Sequence, residues 1–230
     1  MTRTTFTRQT RPVRGVRSWW GKAWQRAVEE AAYSDAELRP GRTHARRGDV
    51  GAISIEAGGL LAACRDADDA WTVEITIPVL DDAARTALIE VVAAESGRIA
   101  ELLAGNLPHD LVEHAEEVGV ELLPFGGELT ATCTCPHYLD PCPHAVAVLI
   151  QAGWLVDTDP LVLFALRGVG RDLLLADLHA RTIAPRGSAD DTQVSADLAD
   201  DVELVVDAAV RAARLLPLFE AGAELPDGLV

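Results

Sequence analysis

Three cysteines and a histidine stand close together in this chain: Cys133 and Cys135, then Cys142 and His144. The spacing is C-x-C, six residues, then C-x-H. Three thiolates and one imidazole make a complete tetrahedral shell for zinc. Four protein ligands leave no position for water or substrate, so the expected cofactor is one structural Zn2+. Such sites contribute about 10–16 kcal/mol of apparent binding free energy, so metal loss should unfold at least the surrounding lobe. The competing reading is disulfides or idle thiols. A Cys133–Cys135 bridge would be a strained small ring, and Cys64 stands alone in a strand pattern as a small core residue. His137 is the one competing ligand; next to Pro136 in a loop, it is expected at the surface.

The flanking sequence must bring the two ligand pairs together. Leu129 to Cys135 alternates as a strand, which points Cys133 and Cys135 to one side. Cys142 and His144 sit at the mouth of a helix, Ala145 to Ala152, that is apolar all round and therefore buried. The positive end of that helix should favour the thiolate. Pro136, Pro141 and Pro143 stiffen the loop between the pairs.

Elsewhere, Trp20, Trp24, Ala27 and Ala31 form one stripe of a helix over Trp19–Ala32, which Pro40-Gly41 should separate from a next short turn. Val50 to Val79 reads as three strands. Gly58-Gly59 makes the first hairpin, Asp66–Asp69 the second turn, and Trp71, Val73, Ile75, Ile77 and Val79 alternate strictly. Helical spacing follows in Ala84–Leu103, with Gly97 as a weak point, and in Leu111–Val118, which Gly119 stops. Asp159-Pro160 reads as N-cap and first residue of another helix, and Leu173, Leu174 and Leu178 mark one more. The expected class is α+β: a small three-stranded antiparallel meander flanked by helices, with a strand–loop–helix zinc unit leading a helical lobe. The expected organisation is a flexible basic arm (1–17), an N-terminal α/β lobe (18–125), the zinc unit and following helices (126–180), a linker (181–201), and a C-terminal helix and tail (202–230).

The 230 residues carry a formal net charge of −16, which excludes coating nucleic acid by bulk charge. The charge is uneven. Residues 1–50 hold 11 bases and 5 acids, a net of +6; residues 51–230 hold 9 bases and 31 acids, a net of −22. Between Arg98 and Arg167 there is no Lys or Arg, while ten acids lie there. Zinc with three thiolates adds about −1 in formal charge, so the zinc unit should repel a phosphate backbone. Cations for any nucleic-acid contact must come from Arg11, Arg14, Arg17, Lys22, Arg26, Arg42, Arg46 and Arg47. Trp19 and Trp20 beside them are candidates to stack on unpaired bases, against the alternative that they are core. The other outlet for a −22 surface is a cationic protein partner.

The C-x-C…C-x-H pattern followed by a buried helix resembles the SWIM zinc finger, with Cys133, Cys135, Cys142 and His144 as ligands. Trp19-Trp20-Gly21-Lys22-Ala23-Trp24, Gly41-Arg42…Ala45-Arg46…Gly48, Leu103-Ala104-Gly105-Asn106-Leu107-Pro108 and Asp159-Pro160…Leu166-Arg167-Gly168 resemble a group of bacterial SWIM-finger proteins over roughly residues 18–180. The resemblance implies binding to DNA or protein through the finger and association with SWI/SNF-type helicase-like ATPases. Pro143 departs from it, because relatives often carry Lys there; this argues against phosphate contact by the finger itself.

Signatures of catalysis are weak. Gly21-Lys22 has Val16 and Ala23 where a phosphate-binding loop needs Gly and Ser/Thr. No G-x-S-x-G elbow occurs, and the cysteine spacings do not fit a zinc deaminase. The expectation is a non-catalytic recognition module or adaptor working with a helicase-like ATPase. The alternatives are a DNA-binding protein using the basic N-terminal segment and, less favoured, a zinc-dependent hydrolase. No apolar stretch approaches the ~20 residues of a membrane helix and no signal region follows the basic start, so a cytoplasmic setting is expected.

Overall fold

The structure is a computed structural model that describes residues 3–10, 15–32 and 34–183. The chain divides into two units, Met1–Arg181 and Thr182–Val230. Beyond Ile183 the second lies outside the described residues, as do most of the linker (181–201) and the whole C-terminal helix and tail (202–230) expected from the sequence.

The sheet is antiparallel and has five strands, not three, in the order β1 (Thr4–Phe6), β2 (Val50–Glu56), β3 (Gly59–Asp66), β4 (Asp69–Thr76) and β5 (Thr130–Cys133). The central three are the expected meander. Gly58, at φ 78°, turns the first hairpin, where a residue with a Cβ would be strained. Alternation then puts Ile53, Ile55, Leu60, Ala62, Cys64, Val73 and Ile75 in the core. One short strand was missed, and the strand expected over Leu129–Cys135 joins the sheet as β5. Thr4–Phe6 pairs with Ile53–Ile55, and Arg3 bonds Glu56, so this part of the expected arm is a sheet edge. Three residues are too few to show a period-2 pattern. β5 pairs with β4 at Val73↔Cys133 and Ile75↔Ala131. The zinc segment thus extends the meander, and the boundary expected at 125/126 falls within one unit.

Eight helices accompany the sheet among the described residues. The first, α1 (Trp19–Ala31), is capped by Ser18, whose hydroxyl accepts from the Gly21 amide. Next, α2 runs from Asp35 to Arg47, straight through Pro40-Gly41. Proline there forfeits one backbone bond, but packing overrides it: Gly41 lies against Val146 and the Pro143 carbonyl of α6 (Pro143–Thr158). α6 packs on α1, α2 and the inner face of the sheet. The indoles of Trp20 and Trp24 donate to the Val156 and Leu149 carbonyls of α6, at 2.8 and 2.9 Å.

α3 (Asp82–Ala93), α4 (Ser96–Leu103) and α5 (His109–Glu117) lie between β4 and β5 in sequence. They meet at Arg98, 3% exposed, which bonds the Val91 carbonyl and Asp110. α7 (Leu161–Leu166) and α8 (Arg171–Ile183) follow α6. Asp159 accepts from the Leu161 amide as expected, although the helix starts after Pro160 rather than at it. Arg167, 2% exposed, ties the end of α7 to two loops, after β4 and after α5, through the Pro78 and Leu122 carbonyls, and makes a two-point pair with Glu128.

Candidate metal centre

β5 carries Cys133 to the rim of the sheet. The backbone continues beside β4 for one more residue, with the Thr134 amide donating to the Thr72 carbonyl at 3.1 Å. The Thr134 hydroxyl accepts from the Thr72 amide at 3.0 Å. Cys135 comes next on the same side as Cys133, as the period-2 reading expects. The loop returns to Cys142, the N-cap of α6, with Pro143 opening the helix and His144 in its first turn.

The four side chains converge. One ligand atom from each of Cys133, Cys135, Cys142 and His144 lies within 4.8 Å of the others. Nδ1 of His144 is 3.9 Å from the Cys133 sulfur and 4.0 Å from the Cys142 sulfur. Zn–S bonds of about 2.3 Å and Zn–N bonds of about 2.0 Å set tetrahedral edges of roughly 3.5–3.8 Å. The donor set therefore fits a zinc ion after slight inward movement. None of the four cysteines is in a disulfide, and Cys64 is fully buried in β3, as expected of a core residue.

The charge state is set by burial. Desolvation raises the Cys133 thiol and pushes Cys142 to about 12. For Cys142 the backbone amide of Ala145, in the first turn of α6, acts in the other direction. The helix end favours the thiolate, as expected, but desolvation outweighs it. His144 is pushed down by desolvation, opposed by its contact with Asp66. Without a cation, burial favours the protonated thiols of Cys133 and Cys142 and the neutral imidazole of His144. A metal must displace the thiol protons on entry.

Three residues around the cluster had no signal in the sequence. Nε2 of His144 lies 3.4 Å from Oδ2 of Asp66 at the end of β3. Trp71 of β4 stands beside the His144 ring, with centroids 6.2 Å apart. His44 of α2 stands on it at 5.3 Å and is bonded to Asp49 at 3.0 Å. His137 is not a ligand: its Nε2 faces Glu37 of α2 at 3.5 Å and its ring stacks on Tyr138. It is half-buried rather than at the open surface.

The candidate nucleic-acid residues divide between the chain around α1 and the helix α2. Arg11 and Arg14 lie outside the described residues. Arg17, Lys22 and Arg26 are exposed before and along α1. Trp19 is half-buried, its indole donating to the Leu107 carbonyl and its ring against His109. Trp20 is buried, 7% exposed, so it cannot stack on a base. On α2, Arg42 pairs with Glu29 at 2.8 Å, while Arg46 and Arg47 are exposed.

Among known proteins, residues 117–153 match the SWIM zinc finger. This stretch runs from the end of α5 through β5 and the ligand loop to Gly153 of α6, and it holds all four donors. An uncharacterized protein of Mycobacterium tuberculosis is 29% identical over 198 residues, covering 84% of this chain and 69% of that protein. No solved structure matches the chain. With the strand, loop, helix and Cys3His donor set all in place, residues 117–153 of this chain are a SWIM zinc finger.

Proposed function

We propose that the protein is a non-catalytic recognition module of the cytoplasm. In this reading one zinc ion locks the finger to the sheet and the α1–α2 surface, so that the module presents a fixed face to a partner. The observation that carries it is the closed donor set. Three thiolates and an imidazole fill a tetrahedron, and three of the four, Cys135, Cys142 and His144, are buried. An ion so held lacks the open position that zinc catalysis needs. When bound, zinc supplies cross-linking and charge compensation. The chain supplies the rest: β5 fixes one ligand pair, the first turn of α6 the other, and Asp66 orients His144.

The partner class follows from the resemblance in residues 18–180, which points to a SWI/SNF-type helicase-like ATPase. The test has two parts. Co2+-loaded protein should show a tetrahedral thiolate spectrum that added azide or imidazole leaves unchanged. A spectrum that shifts with added ligand would expose an open coordination position and favour the hydrolase reading. Zinc-loaded protein should co-sediment with a purified helicase-like ATPase, and Cys142→Ser protein, with lower zinc content, should not. Equal co-sedimentation of both, or of neither, would sink the adaptor role.

A further inference from the structure

The finger's acidic setting leaves open how this module could meet a nucleic acid. α2 carries an exposed row: Arg39, Thr43, Arg46 and Arg47 at helix spacings of four, three and one. Steps of 100° put Arg39, Thr43 and Arg46 on one line with Arg47 at its flank, opposite the buried Leu38, Gly41 and Ala45. Among the described residues, the side chains of Arg39, Arg46 and Arg47 have no ion-pair or hydrogen-bond partner, and Arg42 on the same side is held by Glu29. The acids of α2, Asp35 and Glu37, are confined to its first turn, and Glu37 faces His137 of the zinc loop. This is a cluster of uncompensated cations in a chain of net charge −16.

The row is also tied to the metal. α2 packs along α6 through Gly41, and His44 touches the ligand His144. The zinc site therefore positions a cationic face that the finger's own sequence lacks. The occupant follows from what the face offers. No aromatic residue lies in it, and Trp20 and Trp24 are turned into the core. Base stacking has no platform there, whereas guanidinium groups suit phosphate oxygens. From Arg39 to Arg46 the helix rises about 10 Å, roughly three axial steps of 3.4 Å along one strand of a duplex.

We propose that the Arg39–Arg46–Arg47 face of α2 docks the phosphate backbone of a nucleic-acid duplex, placed by the zinc finger but outside it. This rests on reading the protein as a recognition module. The experiment is fluorescence anisotropy of a labelled 20-bp DNA duplex with full-length, zinc-loaded protein, compared with R39Q/R46Q/R47Q. Three released counterions correspond to a salt slope shallower by about 2.7 in the variant, or a wild-type advantage that shrinks about 40-fold between 50 and 200 mM salt. Zinc content and melting are measured on the same samples, and the exposed substitutions should leave both unchanged. Equal affinity and slope for the variant, or no wild-type binding at 50 mM salt, would overturn the proposal. So would tighter binding to a single strand of the same length, which implicates stacking, or equal competition by poly-glutamate, which implicates an acidic protein. A variant-insensitive result from protein with intact zinc leaves the module reading standing. Only an open metal site or loss of ATPase binding removes that.

Discussion

Asp66 and His144 meet where the end of β3 faces the first turn of α6, Oδ2 to Nε2 at 3.4 Å, while Nδ1 of the same ring faces the thiols. A ring that gives Nδ1 to a metal carries its proton on Nε2, and the carboxylate is placed to accept it. Asp66→Asn should therefore weaken zinc binding by about 10–100-fold with little change in the zinc-saturated fold. Competition with a chromophoric chelator measures this, and the Co2+ spectrum reports whether the ring has turned. Unchanged affinity would make the contact incidental.

Proton release follows from the same geometry. Burial raises the Cys133 and Cys142 thiols, so in the metal-free protein both are protonated at neutral pH. Zinc entry must displace those two protons. Each displaced proton makes apparent affinity rise about tenfold per pH unit, so these two alone give about 100-fold. Affinity thus increases with pH across the neutral range and zinc is released as pH falls. Isothermal titration in buffers of different ionisation enthalpy counts the protons directly.

The ligand set was legible because its chemistry is written in residue type and spacing. Cys133, Cys135, Cys142 and His144 need no long-range information to be named. Asp66 was not legible: it is one of several aspartates in a hairpin turn, and only the β3–β4 register and the crossing of α6 bring it to His144. The same holds for α2. Pro40-Gly41 carries a local signal for a break, and packing against α6 reverses it. β1 was hidden by brevity and by the arginines around it. The central meander, by contrast, was plain in Trp71, Val73 and Ile75, where one face is buried and the other wet; the expected alternation ran too far, since β4 ends at Thr76 and Val79 is exposed.

Arg167 should be the most sensitive charged position outside the metal site. It is 2% exposed and holds Glu128 at 2.7 Å together with two backbone carbonyls. Arg167→Met removes the cation and leaves those acceptors behind. The expected loss is about 3 kcal/mol, at the low end for a broken buried pair because Glu128 keeps some exposure. Arg167→Lys should fall between, since it keeps the charge without the guanidinium's geometry. Urea melts at saturating zinc separate the three proteins.

Asp110 gives the acid limb of stability a specific source. A hydrogen bond from buried Arg98 holds its carboxyl below the usual range, with the guanidinium charge adding to it. A carboxylate depressed in the folded state contributes stability that is complete above its unfolded pKa of about 3.9. That contribution is lost as pH falls through the lower folded value. Asp110→Asn should be less stable than wild type at pH 6, and the gap should close toward pH 3. A gap independent of pH would assign the loss to packing of α5.

The close approach of α2 to α6 can be tested at Gly41. A Cβ built there would come within 2.6 Å of the Val146 Cβ and 3.0 Å of the Pro143 carbonyl oxygen, one residue from the ligand His144. In an exposed helix, Gly→Ala would stabilise by about 1 kcal/mol. Here the methyl must push α2 off α6, and overpacking of this kind costs about 1–3 kcal/mol. Gly41→Ala is therefore expected to destabilise, opposite to the propensity scale. Because His44 stands on His144 across the same contact, the variant should also bind zinc more weakly. Melting and chelator competition on one preparation read both effects. A stabilised variant with normal zinc affinity would mean that the two helices are held apart more loosely than this packing requires.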